Sequence, residues 1–150
     1  MQDQHLFSIE LLEEENFRSF GEIISLSEKN QFISYPDGSV FHVLAQSKSE
    51  GWRFAALKLR TRNIKELQVH RTTTETLVPV KGSTILCVNF NPTIEGIRSF
   101  ILDRPVLIYK NIWHNILTLS EESIIEITEN KEVDCEEVEL EKELYTIISS

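Results

Sequence analysis

The sequence predicts an all-β protein, an antiparallel sandwich or barrel with a few short helices. Most apolar runs are short, rich in β-branched and aromatic residues, and separated by polar, glycine or proline residues. Only two segments have helical spacing, and both are short. The chain has 150 residues, of which 41% are hydrophobic and 26% charged, so we expect one domain over residues 1–150 with a full core.

The predicted elements begin with a short helix near the N-terminus. Leu12, Phe17 and Phe20 fall near helical spacing, and Gly21 suits the exit from the helix into a strand. A Pro-Asp-Gly turn at 36–38 then separates two β-like runs. The strands predicted after these runs are, in order, "WRFAALKLR", "IKELQVH", "TLVPV", "STILCVNF", "PVLIYKNIWHNILTL" and "SIIEITEN".

A second helix is predicted between two of these strands, in "NPTIEGIRSFIL". Thr93 is placed to cap it, with Ile94, Ile97 and Ile101 on one face. The acidic tail, residues 132–150, is expected to be a solvated segment whose last residues dock on the body. A role of this tail in subunit contact is the alternative.

Charge and cysteine content restrict the function. The net charge of -9 repels phosphate backbones and anionic membranes, and no cluster of Lys and Arg counters it, so we expect neither nucleic-acid nor membrane partners. The N-terminus has no secretory-signal pattern, and no stretch is apolar for long enough to span a bilayer. Cys87, in a predicted buried strand, and the distant Cys135 make neither a disulfide scaffold nor a zinc site. We therefore expect a reduced, cytoplasmic setting.

The stretch "VHRTTTETLVPVKG" at 69–82 raises the main functional question. His70 and Glu75 would point to opposite faces of one strand, so a turn at "RTTT" is predicted to bring them together across a hairpin. Gln68 shares a face with His70 on the first strand of that hairpin. The alternative is an ordinary hairpin in which His70 merely pairs with Glu75.

A second histidine lies in the apolar run "NIWHNIL". Flanked by Trp113 and isoleucines, His114 must be buried or half-buried, and both of its ring nitrogens then need partners. If His114 faces the same interior as His70, Glu75 and Gln68 can satisfy both rings. A core histidine that only packs beside Trp113 is the alternative.

These residues resemble those of a known superfamily. The spacing of His70, Glu75 and Gly82 resembles the second half of the first cupin motif, with Gln68 in place of its leading histidine. His114 corresponds to the histidine of the second cupin motif, without that motif's Pro and Gly. Over a longer part of the chain, the sequence is similar to the ureidoglycolate lyase (ureidoglycolate hydrolase) family of cupins. The similar segments are "FRSFGEII", "LKLR", "IKELQVHRTTTETLVPVKGSTILCV", "IEGIRSFI", "YKNIWHNIL" and "DCEEVEL". The resemblance implies a cupin-like double-stranded β-helix, the jelly-roll barrel.

The chain departs from the family pattern at several polar positions. Val69 stands where the family has an arginine, and Asn115 where it has a second histidine. A characteristic Asp-Arg pair is replaced by Thr128–Glu129. Glu75 stands at a position that is usually Gln in the family, which restores the cupin-like ligand. Such changes preserve shape more securely than chemistry.

The resemblance implies a homodimeric enzyme of allantoin degradation, in purine catabolism, that cleaves ureidoglycolate or a related small hydroxy- or oxo-acid to glyoxylate and urea. The reaction needs a base for the C2 hydroxyl proton, an acid for the urea nitrogen and a cation for the carboxylate. His70 and His114 are the predicted base and acid, and Arg60 resembles the family's strand arginine, a predicted carboxylate clamp. The other predicted substrate-binding residues are Glu75, Lys81, Tyr109 and Asn115.

Two further functions stay open. Gln68, His70, Glu75 and His114 form a ligand set for a divalent transition metal such as Zn, Mn, Ni or Fe. This set predicts a metal-dependent cupin enzyme of another specificity, for example an isomerase or dioxygenase. The other function is that of a non-catalytic cupin that binds a small acid as a sensor or carrier.

Overall fold

Two β-sheets face each other across an apolar core, and this confirms the predicted all-β class. The computed structural model describes residues 4–25, 27–36, 40–43, 45 and 51–145. In these ranges the elements are β1 (Gln4–His5), β2 (Ile9–Glu10), α1 (Glu14–Phe17), β3 (Gly21–Ile23), β4 (Gln31–Ser34), β5 (Val40–Val43), β6 (Arg53–Leu59), β7 (Asn63–Val69), β8 (Glu75–Lys81), β9 (Thr84–Asn89), β10 (Arg98–Ile101), β11 (Val106–Ile108), β12 (Trp113–Thr118), β13 (Ser123–Glu129) and β14 (Glu136–Tyr145).

The order of the strands is that of a jelly roll. The seven-stranded sheet runs β1-β14-β7-β12-β9-β10-β2, and the five-stranded sheet runs β3-β11-β8-β13-β6. From β6 onward the chain passes repeatedly from one sheet to the other, and only β9 and β10 follow each other within one sheet. Residues distant in sequence therefore meet between the sheets.

The core follows from side-chain alternation along the strands. β9 is buried along its whole length, with Leu86 and Val88 in the cluster that also contains Phe17 and Phe100. Its alternate residues, including Cys87, belong to a second cluster with Trp113. The packing of Trp113 beside β9 fixes the neighbouring His114 on the opposite face of β12, toward the other sheet.

The first predicted helix is present as α1, with Phe17 and Phe20 buried as expected. Gly21, however, is the first residue of β3, where a Cβ would overlap the carbonyl oxygen of Leu107. Glycine is needed at this position because only a residue without a Cβ lets the two backbones approach so closely. The hairpin predicted around the Pro-Asp-Gly turn is present as the antiparallel pair β4–β5, although the tip at 37–39 lies outside the described residues.

The second predicted helix is wrong. The chain turns through residues 90–97 and then forms β10, which pairs with β9. Gly96 has φ +85°, which breaks a helix. Instead of helical hydrogen bonds, the turn has bonds from Asn89 Nδ2, which donates to the carbonyls of Thr93 and Glu95. The isoleucines whose spacing favoured a helix pack instead against the second cluster, because strand and turn together bring them to one side.

The tail prediction is right in part for residues 132–145, which the structure describes: the segment is mostly exposed and Leu144 docks in the core, but the strand that it forms was not predicted. Glu136–Tyr145 is the longest strand, antiparallel to β7 and parallel to β1. In "VELEKEL" apolar residues alternate with charged ones for most of the segment, which is a strand pattern, and Leu144 is fully buried. Among the described residues, no helix is long and apolar enough to cross a membrane.

Candidate active site

Two histidines and one glutamate converge between the sheets. Glu75 begins β8, His114 lies in β12 of the facing sheet, and His70 follows β7 directly. Glu75 Oε2 lies 3.3 Å from His70 Nε2, and Glu75 Oε1 lies 3.3 Å from His114 Nε2. The centroids of the two imidazole rings are 5.1 Å apart. The three side chains predicted to share a site are therefore neighbours.

The route to this convergence is not the predicted hairpin. β7 and β8 are in different sheets, and "RTTT" carries the chain from one sheet to the other. His70 and Glu75 meet across the interior of the sandwich. His70 and Glu75 would point to opposite faces of one continuous strand, so the chain must change direction between them if they are to meet. The crossing from one sheet to the other provides that change of direction.

Both imidazoles present the same ring nitrogen to the interior. His70 Nδ1 donates to the carbonyl of Asp134 at 2.7 Å, and His114 Nδ1 donates to the carbonyl of Ile112 at 2.9 Å. Because a carbonyl only accepts, each neutral ring carries its hydrogen on Nδ1 and a lone pair on Nε2. Neither Nε2 has a hydrogen-bond partner, although both rings are buried and Glu75 is close enough for an ion pair.

The charges in this cluster support one another. Burial raises the pKa of Glu75, but contacts with His114 and His70 outweigh it and hold that pKa well below its usual range. For His70 burial lowers the pKa, but the Glu75 carboxylate and the Asp134 carbonyl outweigh burial and leave it raised. An ionised Glu75 beside a protonated His70 is the arrangement that these shifts favour.

A second buried carboxylate, that of Glu129, adjoins Glu75, and in the sequence it is recognisable only as a departure from the family pattern. Glu129 Oε1 accepts hydrogen bonds from Arg53 Nε at 2.8 Å and Nη2 at 2.5 Å. Burial and the proximity of Glu75 raise the pKa of Glu129, and Arg53 opposes them. Arg53 and Glu129 lie directly opposite each other on β6 and β13. Opposite charges at such positions indicate an ion pair, but the sequence reveals it only once the pairing of the two strands is known.

A cleft of about 720 Å³ leads from the cluster to solvent. Glu75, His114 and Gln68 line its inner end, and exposed Arg62 and Lys65 line its mouth. Its walls between them are apolar: Leu57, Leu59, Leu77, Ile116 and Ile127. The cleft therefore borders Glu75 and the His114 ring, while His70 does not line it.

The predicted binding residues are distributed over different surfaces. Arg60 lines the cleft but forms an ion pair with Glu122 at 2.8 Å. Asn115 also lines it, with its Nδ2 donating to the carbonyl of Glu66 across the gap between β12 and β7. Lys81 and Tyr109 line separate clefts away from the histidines.

The cluster fits a metal ion. Single ligand atoms of His70, Glu75 and His114 all lie within 4.8 Å of one another. An ion would displace the proton favoured on His70, and each neutral ring, with its hydrogen on Nδ1, then offers an Nε2 lone pair. The Nδ1 hydrogen bonds orient both rings. Gln68 lies directly opposite His114 in the strand register, as a neutral fourth candidate.

Of three solved structures that are similar to this chain, the first supports the cupin fold. A TDP-quinovose 3,4-ketoisomerase from Campylobacter jejuni superimposes with a TM-score of 0.51 at 16% identity, covering 76% of this chain and 87% of that one. A 4-keto-6-deoxy sugar epimerase from Streptomyces spheroides gives 0.46 at 12% identity, covering 76% and 70%. An oxalate decarboxylase mutant from Bacillus subtilis gives 0.43 at 17% identity, covering 71% and 34%. At such identities the likeness concerns the fold alone.

Comparison of sequences is more specific. No curated protein sequence matches this chain significantly. The ureidoglycolate lyase profile matches residues 4–147, which include the whole jelly roll and all three clustered side chains. With both the fold and nearly the full sequence in agreement, this cupin chain belongs to the ureidoglycolate lyase family.

Proposed function

We propose that this protein is a carbon–nitrogen lyase that cleaves ureidoglycolate, or a closely related small hydroxy- or oxo-acid, to glyoxylate and urea. Family membership supports the reaction class. The observation that carries the proposed active centre is the pair of buried, unpartnered imidazole nitrogens that face one carboxylate at the inner end of an open cleft. Perturbed titratable groups in a cleft are typical of catalytic sites.

The mouth of the cleft supplies cations for the substrate carboxylate. Among the described residues, neither Arg62 nor Lys65 has an ion pair, whereas Arg60 is held by Glu122. In a chain of net charge -9, a local group of cations matters for attracting an acid. We assign carboxylate binding to Arg62 and Lys65 first, and to Arg60 only when Glu122 releases it.

The cleavage moves one proton from oxygen to nitrogen. The C2 hydroxyl loses its proton as the carbonyl forms, the carbon–nitrogen bond breaks, and the urea nitrogen gains a proton, so no oxidant or reductant is consumed. In the proposal His114 Nε2 takes the first proton and returns it to the urea nitrogen. Glu75 stabilises the intervening imidazolium, and His70 holds Glu75 in place from the far side.

A metal-dependent form of the same centre is the second candidate, which the unpartnered Nε2 atoms favour. His70, Glu75 and His114 would hold a divalent transition metal, with Gln68 as a weaker ligand. When bound, such an ion supplies a Lewis acid for the oxygens of the substrate. The residues at the mouth of the cleft would keep the same role in both forms.

The test is incubation of purified protein with racemic ureidoglycolate, followed by detection of glyoxylate. Product above the buffer rate supports the lyase, and its absence with every added metal overturns it. Activity that survives a chelator selects the metal-free form, whereas loss and recovery on adding Zn, Mn or Ni selects the second form. A shift of the melting temperature with glyoxylate or oxalate, without turnover, would identify a non-catalytic binder.

We also propose one domain over residues 1–150 that acts as a cytoplasmic homodimer in allantoin degradation. Both sheets contribute to one inner core, which supports a single domain. The exposed Trp52 and Phe54 at the edge of the five-stranded sheet support a contact between subunits. Light scattering should give about twice the chain mass of 17.4 kDa, and a monomer at all concentrations would exclude the dimer.

A further inference from the structure

Two connections between the sheets run side by side at the end of the sandwich that carries His70. Residues 70–74 join β7 to β8, and residues 130–135 join β13 to β14. Asn130 contributes two bonds between these connections: its backbone N–H donates to Thr73 Oγ1 at 3.0 Å, and its Nδ2 donates to the carbonyl of Thr72 at 3.1 Å. The two connections therefore hold each other in place.

The Asp134 carboxylate is the centre of this contact. Its Oδ2 accepts from the backbone N–H of Arg71 at 2.7 Å. Its Oδ1 accepts from the backbone N–H of Thr72 at 3.0 Å and from the Thr72 hydroxyl at 2.5 Å. Three hydrogen bonds from two consecutive residues fix both the position and the rotation of the aspartate.

The backbone of the same residue bonds the histidine. The Asp134 carbonyl accepts from His70 Nδ1 at 2.7 Å. The side chain of Asp134 thus determines where its own carbonyl points, and that carbonyl determines which nitrogen of His70 carries the hydrogen. If the carbonyl moved away, neutral His70 would gain by placing its hydrogen on Nε2, next to the Glu75 carboxylate.

We propose that Asp134 is a positioning residue that keeps the hydrogen of neutral His70 on Nδ1, so that Nε2 is the nitrogen left facing Glu75 and His114. The inference depends on the proposed function only in treating His70 as part of the active centre. His114 provides an internal reference, because its Nδ1 partner is the carbonyl of Ile112, directly before its own strand and outside both connections.

The test is long-range ¹H–¹⁵N NMR of histidine-labelled, chelator-treated protein at pH about 9, where an ordinary histidine is neutral. The wild type should show His70 and His114 in the Nδ1–H form. In Asp134→Ala, His70 should shift measurably toward Nε2–H while His114 stays unchanged. Asp134→Asn, which keeps one acceptor oxygen, should restore most of the Nδ1–H form.

A matched control is Glu136→Ala, which removes the other acidic partner of this region, on Arg71, and should leave His70 as in the wild type. If Asp134→Ala does not fold, Thr72→Val removes one of the three bonds and should shift His70 in the same direction by less. An unchanged His70 in a folded Asp134→Ala, or in Thr72→Val when that is the readable variant, overturns the proposal. Because the measurement uses neither substrate nor metal, its result is independent of whether lyase activity is found.

Discussion

Glu75 and His114 lie on facing sheets, yet Glu75 Oε1 is within 3.3 Å of His114 Nε2. Neither side chain is near the other in sequence, and only the stacking of the two sheets brings them together. The contact joins the two halves of the sandwich by a charged interaction at the inner end of the cleft. The proposed activity depends on this pair and on His70 beside it.

The first prediction concerns pH and stability without metal. The pKa of His70 is raised on folding, so its contribution is fully present below its unfolded value of about 6.5 and is lost as pH rises through the folded pKa. The pKa of Glu75 is lowered, so its contribution is lost only in acid, below about 4.3. From pH about 6 upward, the unfolding free energy in urea should therefore fall by more in wild type than in His70→Gln.

Glu75→Gln should also flatten this pH dependence, because the ionised carboxylate is a main cause of the raised pKa of His70. Glu126→Gln is the matched control, because Glu126 lies on the face of β13 that points away from the cluster, and this variant should keep the wild-type slope. Equal slopes in wild type and His70→Gln would show that His70 titrates alike in the folded and unfolded chain.

The second prediction concerns metal binding. Chelator-treated protein should gain thermal stability on addition of Zn, Mn or Ni if the cluster binds the ion, because a ligand that binds only the folded state stabilises it. His114→Ala should abolish the gain, whereas Glu126→Gln should retain it. Elemental analysis of untreated protein should show close to one ion per chain, and a trace amount together with no thermal shift would reject the metal-dependent form.

The third prediction separates the cations at the mouth of the cleft. Arg62→Ala should raise KM about 10-fold with little change in kcat, since a charge-assisted bond to a carboxylate contributes about 1.5–3 kcal/mol and solvent reduces that at an exposed site. Arg60→Ala should have the smaller effect, because Glu122 already pairs with Arg60. Steady-state kinetics decide the matter, and a larger effect of Arg60→Ala would restore the arginine expected from the family resemblance.

The fourth prediction tests the close contact between the backbones of β3 and β11 at Gly21. Gly21→Ala places a methyl group against the Leu107 carbonyl, so the strands must separate, at a cost of about 1–3 kcal/mol or more. Glu22→Ala, at the exposed neighbouring position of β3, is the control and should change the free energy of unfolding by less than about 0.5 kcal/mol. A Gly21→Ala variant as stable as the control would mean that β3 and β11 are farther apart than described.

Sequence patterns predicted the fold where the signal is local. Alternation and β-branched residues identified β7, β8, β9 and β13, and the burial of His114 followed from its apolar neighbours. The helix expected near Thr93 failed because apolar residues three apart also occur where a turn leads into a strand. The exposure of the tail and the docking of Leu144 agree with the prediction, but the strand was missed because the acidic composition concealed its alternating pattern.

The site was partly predictable for a related reason. His70, Glu75 and His114 were selected by chemistry and family resemblance, and these need no knowledge of the strand pairing. The crossing at 71–74 was missed, because whether a polar turn joins strands of one sheet or of two depends on partners distant in sequence. For the same reason Asp134 and Glu129 could not be placed: their roles come from contacts with residues about 60 to 75 positions away.

The most direct test of the central claim is the rate of glyoxylate release from ureidoglycolate, with saturating substrate, by wild type, Glu75→Gln and His114→Ala. We expect each substitution to lower kcat by at least about 100-fold while the folded state persists, because the group that moves the proton or its charged partner is lost. Glu126→Gln should keep the wild-type rate. Wild-type turnover that persists in folded Glu75→Gln and His114→Ala would contradict this claim, and would place the reaction elsewhere on the protein.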